Sequence, residues 1–169
     1  MSSEKEIEMT TPLNEQESQD LATYAKEQAQ RVMGKIPLLG AVSWLMMQQS
    51  ATRHTLLSEL EWRVMPALVL DQAKLFMRES APIAYVSWAR LSEDVAKRYQ
   101  QAPHHLSASD WKSGEQIWIV DLCTPFGGMQ EVMNDLRESV FPGQEIHQFT
   151  LGSDGQVKAM TWSAVNRTH

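Results

Sequence analysis

The amino-acid sequence predicts an α+β domain with helices packed on a mostly antiparallel central sheet. Three observations carry this reading. Apolar residues recur at helical spacing early in the chain, with Leu21, Ala25, Ala29 and Val32 as the clearest series. Two pairs of β-leaning runs flank short turns, at QAKLFMRES-AP-IAYVSWARLS and at EIHQFTL-GSDG-QVKAMTWSAV. Between them the apolar run IWIVDLC leads through a glycine turn into a helix-period segment.

The elements follow in order. Residues 1–12 read as an acidic tail. A helix runs from Asn14 to about Gly34, a natural stop, and Pro37 opens a short buried helix over 38–50. Residues 56–71 form another helix, interrupted or ended near Pro66. A hairpin pairs strands 73–78 and 82–90, and Ser92 caps the helix SEDVAKRYQQ, which has acids in its first turn. A loop with turn chemistry at Ser113-Gly114 leads to the strand 117–123. The helix after it places Met129, Val132, Met133, Leu136 and Val140 on one face, and the final hairpin closes the chain. This divides the sequence into an acidic N-terminal extension with a helix, 1–35, and a domain over 36–169.

Composition narrows the function. With 169 residues, 43% hydrophobic, the chain builds one substantial core. The net charge of −6 is concentrated at the start, where residues 1–20 hold six acids against Lys5. The nearly neutral remainder argues against nucleic-acid binding, which needs a basic surface. Cys123 is the single cysteine, so no intramolecular disulfide forms, and it has no CxxC partner for a metal. His104 and His105 are adjacent, which does not place both on one ion, so no metal site is expected. The first residues lack the basic and apolar regions of a secretory signal, and no run of ~18 apolar residues appears. The expected location is the cytoplasm, without stable membrane insertion.

The chemistry centres on Asp121. Strand alternation puts Ile117, Ile119, Asp121 and Cys123 on one face and Trp118, Val120 and Leu122 on the other. A carboxylate among isoleucines costs several kcal/mol unless it protonates or finds a donor. Three roles are open: a solvated or capping group at the strand end, a structural ion-pair partner, or a group that orients a catalytic base. In the following TPFGG, Pro125 fixes a turn, and Gly127 and Gly128 allow unusual backbone angles ahead of a helix start that offers N–H groups to a phosphate. The segment QQSATRHTLL adds Ser50, Thr52 and His54, and an imidazole acts as a base near neutrality. Ser50 lies in no GxSxG elbow, so a serine hydrolase has no support.

Four segments then occur together and in order: LGAVSWLM (39–46), MPAL (65–68), APIAYVSWARLS (81–92) and WKSGEQIWIVDLCTPFGG (111–128). As a set they resemble the toxin-activating lysine-acyltransferases that mature RTX cytolysins, the hemolysin C-like family. The resemblance runs from about Leu39 to the final hairpin. It implies a fold similar to the Gcn5-related N-acetyltransferases and a tendency to form homodimers. It implies transfer of a fatty acyl group from acyl carrier protein, as a phosphopantetheine thioester with no tightly bound cofactor, to the ε-amine of internal lysines of an RTX protoxin. It also implies a catalytic histidine and aspartate. The aspartate maps to Asp121.

The histidine has two mappings. In the family it stands eight residues beyond the Trp of VSWL, and here that place is Thr52, with His54 two residues further on. Either a two-residue insertion is compensated before Met65 and His54 is the base, or the ungapped reading stands and the group is lost. The reading adopted takes His54 and Asp121 as the catalytic pair, with Ser50, Trp118, Gly127 and Gly128 contacting the acyl donor. Lys112, Arg53, Arg63 and Arg78 are candidate contacts for an acidic carrier protein. The alternative is a binding module on the same fold that docks a toxin or carrier protein without catalysis.

Overall fold

A computed structural model describes residues 14–101 and 104–165, and the acidic tail 1–12 lies outside them. Chain contacts divide the protein into two compact units, Met1–Gly34 and Lys35–His169. Within the described residues the first unit is helical. The helix α1 is continuous over Glu15–Gln48 through Gly34 and Pro37, where the sequence predicts a stop and a new start. A glycine costs a helix only about 1 kcal/mol relative to alanine, too little to end a run of strong helix formers. Pro37 forfeits one ladder bond, but Val42, Leu45 and Met46 beyond it are buried and anchor the last turns.

The second unit continues with α2 (Leu57–Arg63) and α3 (Met65–Val69), split at Val64 with Pro66 in the first turn of α3. Strands β1 (Ala73–Arg78) and β2 (Ala81–Leu91) form the first hairpin. Helix α4 (Glu93–Tyr99) starts at Ser92, whose Oγ accepts from the Val95 N–H at 3.3 Å. Strand β3 (Gln116–Cys123) leads to α5 (Met129–Asp135), which continues through a wider π-type turn at Leu136–Val140. Strands β4 (Ile146–Leu151) and β5 (Val157–Trp162) close the chain. The five strands lie in chain order, antiparallel except for β3 and β4, which α5 connects in parallel. The architecture is α+β with a mostly antiparallel sheet.

One face of the sheet packs Val86, Trp88, Ile117 and Ile119 against Met133 and Leu136. The other packs Ala89, Leu91 and Trp118 against Tyr99, and Tyr85 and Cys123 against Val42 and Leu45. The alternation expected along β3 breaks in the middle. Tyr85, Val86 and Ser87 pair with Cys123, Leu122 and Asp121, but Trp88 pairs with Ile119, leaving Val120 as an extra residue. This is a β-bulge. It returns Leu122 to the face of Ile117 and Ile119 and puts Asp121 and Cys123 on the opposite one, with Tyr85. Asp121 therefore faces α1 and α2 rather than sharing a face with the isoleucines.

The β3–β4 ladder is short. Only Ile117↔Ile146 and Trp118↔His147 pair, after which the strands separate. The opening between Ile119–Leu122 and Gln148–Leu151 is the groove described below.

The loop after α4 is pinned at Asp110. Its Oδ2 accepts from Ser107 N at 2.7 Å and Ser107 Oγ at 2.8 Å and meets Arg98 Nη2. Burial pushes the Asp110 carboxyl up, but these bonds outweigh it and hold the group below the usual carboxylate range. A depressed folded-state pKa contributes stability that is present above the unfolded value and lost as pH falls through the folded one. Asp110→Asn is therefore expected to cost about 1–2 kcal/mol at pH 7 and progressively less in acid. Denaturant unfolding of both proteins across pH 2–7 checks this, and a deficit independent of pH contradicts it.

Candidate active site

The groove between the diverging ends of β3 and β4 has a volume of about 360 Å³. Asp121 lies at its wall and is 3% exposed. The carboxylate is gripped by Arg63, whose Nε lies 2.9 Å from each oxygen, with Nη2 also on Oδ1. The sequence places Arg63 there through local means. Glu59 accepts from the Leu56 N–H at 2.7 Å and fixes the start of α2, and the break before Pro66 makes Arg63 its last residue. A two-point fork of this kind is among the strongest charge-assisted contacts. Burial pushes the Asp121 carboxyl above the ordinary carboxylate range, against the opposing pull of Arg63. Nη1 of Arg63 has no hydrogen-bond partner among the described residues, and Arg63 lines the groove.

The segment after α1 forms the near rim. Gln49 donates to the Leu122 carbonyl at 3.2 Å and accepts from Thr124 N at 2.9 Å, clipping the end of α1 to the end of β3. Thr52 is buried and lines the groove with Asp121, and its hydroxyl donates to the Met46 carbonyl at 2.8 Å. Ser50 and His54 are exposed and do not line the groove, and His54 makes no hydrogen bond among the described residues. Trp118 is a core residue, edge-on to Tyr99 and stacked on His147. Gly127 and Gly128 adopt φ of 86° and 87°, which glycine alone tolerates readily, and line a separate pocket of about 400 Å³ with Phe76, Arg78 and Glu131. The structure thus brings Asp121, Thr52 and Arg63 together and leaves His54 and Ser50 outside. Arg63, read from sequence as a candidate surface contact, is the partner of the buried carboxylate. Its pairing spans 58 residues of chain, and the only local signal was its place at a helix end.

Cys123 is fully buried beside this pair. Burial, reinforced by Asp121, pushes its thiol up to about 12. Such a thiol is neither nucleophile nor acyl carrier near neutrality. The native protein should not react with a disulfide reagent such as dithiobis-nitrobenzoate at pH 8, while guanidinium-unfolded protein reacts at once. Fast labelling of the native state would contradict this. Among the described residues, no group of three or more His, Cys, Asp or Glu side chains is placed to hold a metal ion, and no helix is long and apolar enough to cross a membrane.

Residues 31–163 match the profile of the RTX toxin acyltransferase family. Similar curated proteins include the RTX-II toxin-activating lysine-acyltransferase ApxIIC of Actinobacillus pleuropneumoniae, 35% identical over 101 residues, which cover 60% of this chain and 63% of that protein. The lysine-acyltransferase RtxC of Vibrio cholerae is 36% identical over 105 residues, 62% of this chain and 69% of the relative. The protein-lysine myristoyltransferase HlyC of Escherichia coli is 34% identical over 109 residues, 64% of each chain. The match to the first of these therefore spans somewhat less than two thirds of its length.

Proposed function

The chain belongs to the RTX toxin acyltransferase family, and from that premise we propose that it transfers a fatty acyl group from acyl carrier protein to internal lysines of an RTX-type protoxin. The observation that carries the reading is the splayed end of the β3–β4 pair beside the Asp121–Arg63 fork. An extended phosphopantetheine arm fits an unpaired strand edge, since its amides hydrogen-bond as a peptide strand does. The Arg63 fork, fixed by Asp121, directs its remaining N–H groups toward a thioester carbonyl and stabilises the oxyanion that forms on attack. The arm's phosphate is placed near Gly127 and Gly128, where Arg78 supplies a cation. His54, exposed on its turn, is given no step in this reading. The cytoplasm is its expected site of action, and a homodimer its expected state.

One observation favours a second reading. Thr52, rather than His54, lines the Asp121 groove, and its hydroxyl is already committed to Met46. Under that reading the chain binds toxin or carrier protein without transfer. Mass spectrometry of a candidate protoxin, incubated with this protein and acyl-loaded carrier protein, separates the two. Acyl masses on specific lysines, lost in Arg63→Ala under conditions where that variant is still folded and kept in His54→Ala, support transfer by this groove. Loss in His54→Ala would return the base role to that residue. No acylation by folded protein, with any tested toxin and donor, would leave the binding reading standing.

A further inference from the structure

Acyl transfer to lysine needs a base, because an ε-amine with a pKa of ~10.4 is almost wholly protonated at neutral pH. No histidine is hydrogen-bonded to Asp121 among the described residues. A second pocket, of about 310 Å³, adjoins the groove, with Arg63, Val120 and Phe149 lining both. Its other lining residues are Glu59, Trp62, Tyr99 and His104. His104 comes from the adjacent histidine pair that the family resemblance leaves unused. Its neighbour His105 lies against the Trp62 ring, with centroids 4.4 Å apart.

Resting on the acyl-transfer reading, we propose that this second pocket receives the acceptor lysine and that His104 takes its proton. The pocket has the chemistry that recognises an alkylammonium. Aromatic rings of Trp62, Tyr99 and Phe149 suit a long aliphatic stem with a cationic head, and the Glu59 carboxylate supplies the countercharge. The positive charge of Arg63 is compensated by Asp121.

The tautomer of His104 is fixed by its partner. Nδ1 lies 2.7 Å from the Tyr99 carbonyl oxygen, which only accepts, so Nδ1 carries the hydrogen. In the neutral ring that leaves Nε2 with its lone pair, and Nε2 makes no hydrogen bond among the described residues. The ring is held from the side by Phe149 at 4.3 Å between centroids. The backbone of His104 sits at φ 50°, a left-handed conformation that is uncommon outside glycine and tends to persist where the surroundings require it.

The step balances as follows. His104 Nε2 takes one proton from the lysine ammonium. The free amine attacks the thioester carbonyl carbon, a C–N bond forms, and the C–S bond breaks. The imidazolium returns its proton to the departing thiolate, and the second amine proton leaves to water, giving the amide and the free carrier thiol.

Two variants test this. In His104→Asn, asparagine tolerates the left-handed backbone and its amide can still donate to Tyr99, but the base is gone. The expected result is a kcat about 100-fold lower, with KM for the protoxin and the melting temperature nearly unchanged. A kcat equal to wild type overturns the role of His104. Glu59→Gln keeps an acceptor for the Leu56 N–H and removes the charge. Titration with Nα-acetyl-lysine amide, followed by NMR, should show binding that weakens about tenfold in Glu59→Gln and is absent for the uncharged norleucine analogue. Equal binding in all three cases, or none to wild type, overturns the pocket. If wild-type protein acylates no protoxin, the transfer reading fails, and the titration still decides the pocket.

Discussion

Arg63→Ala is expected to destabilise the domain by about 3–5 kcal/mol, the range for breaking a buried ion pair. The Asp121 side chain is 1% exposed, and Arg63 supplies its only side-chain partner among the described residues. Truncating Arg63 strands a carboxylate in a dry site. Asp121→Ala should cost less, because Arg63 is 24% exposed and can reach water. Replacing both together, Arg63→Met with Asp121→Leu, should recover most of the stability, since a packed apolar pair often matches a buried ion pair. It should recover none of the acyl transfer. The pH dependence has a defined sign. Burial already pushes the Asp121 carboxyl up, and without Arg63 it rises further. A raised folded-state pKa contributes stability that is present below the unfolded value and lost as pH rises through the folded one. The deficit of Arg63→Ala should therefore be smaller at pH 4 than at pH 7. Chemical denaturation of these variants at both pH values, with Arg63→Met and Asp121→Leu made singly to close the cycle, gives the coupling, and additive single-variant effects would show that the two side chains are not coupled.

The parts of this fold that were legible in the sequence are those set by neighbours in the chain. Ser92 caps α4 because its hydroxyl reaches a backbone N–H three residues on. The two hairpins follow from β-leaning runs around short turns. Gly34 and Pro37 misled because each is a local penalty that the rest of α1 outweighs. The site was legible only in part. Asp121 stands out as a carboxylate in an apolar strand, but which face it occupies depends on pairing with Ser87 across the sheet. Its partner Arg63 and the pocket around His104 are assembled by segments distant in the chain, and no spacing rule within one segment encodes them.

The bulge at Val120 gives a test of how the site is aimed. In a regular strand, losing or gaining one residue is equally damaging, because either change sends every later side chain to the opposite face. Here the two should differ. Val120 is the unpaired extra residue between Ile119, opposite Trp88, and Asp121, opposite Ser87. Deleting it leaves Ile119 and Asp121 as consecutive ladder residues on opposite faces, the faces they already occupy. The expected cost is about 1–2 kcal/mol for the lost contacts of a partly buried valine. An alanine inserted between Val120 and Asp121 has no such outlet. It either opens a two-residue bulge or moves Asp121 one step along, opposite Val86, and turns the carboxylate into the packing of Met133 and Leu136. Burying an unpaired charge there should cost more than about 4 kcal/mol. The deletion variant should fold yet transfer acyl groups poorly, because a bulge adds local twist and its loss lets the β3 edge lie closer to β4 and narrows the groove. Thermal melts of the two variants decide the matter. Similar losses for deletion and insertion would mean that Asp121 is positioned by something other than the bulge.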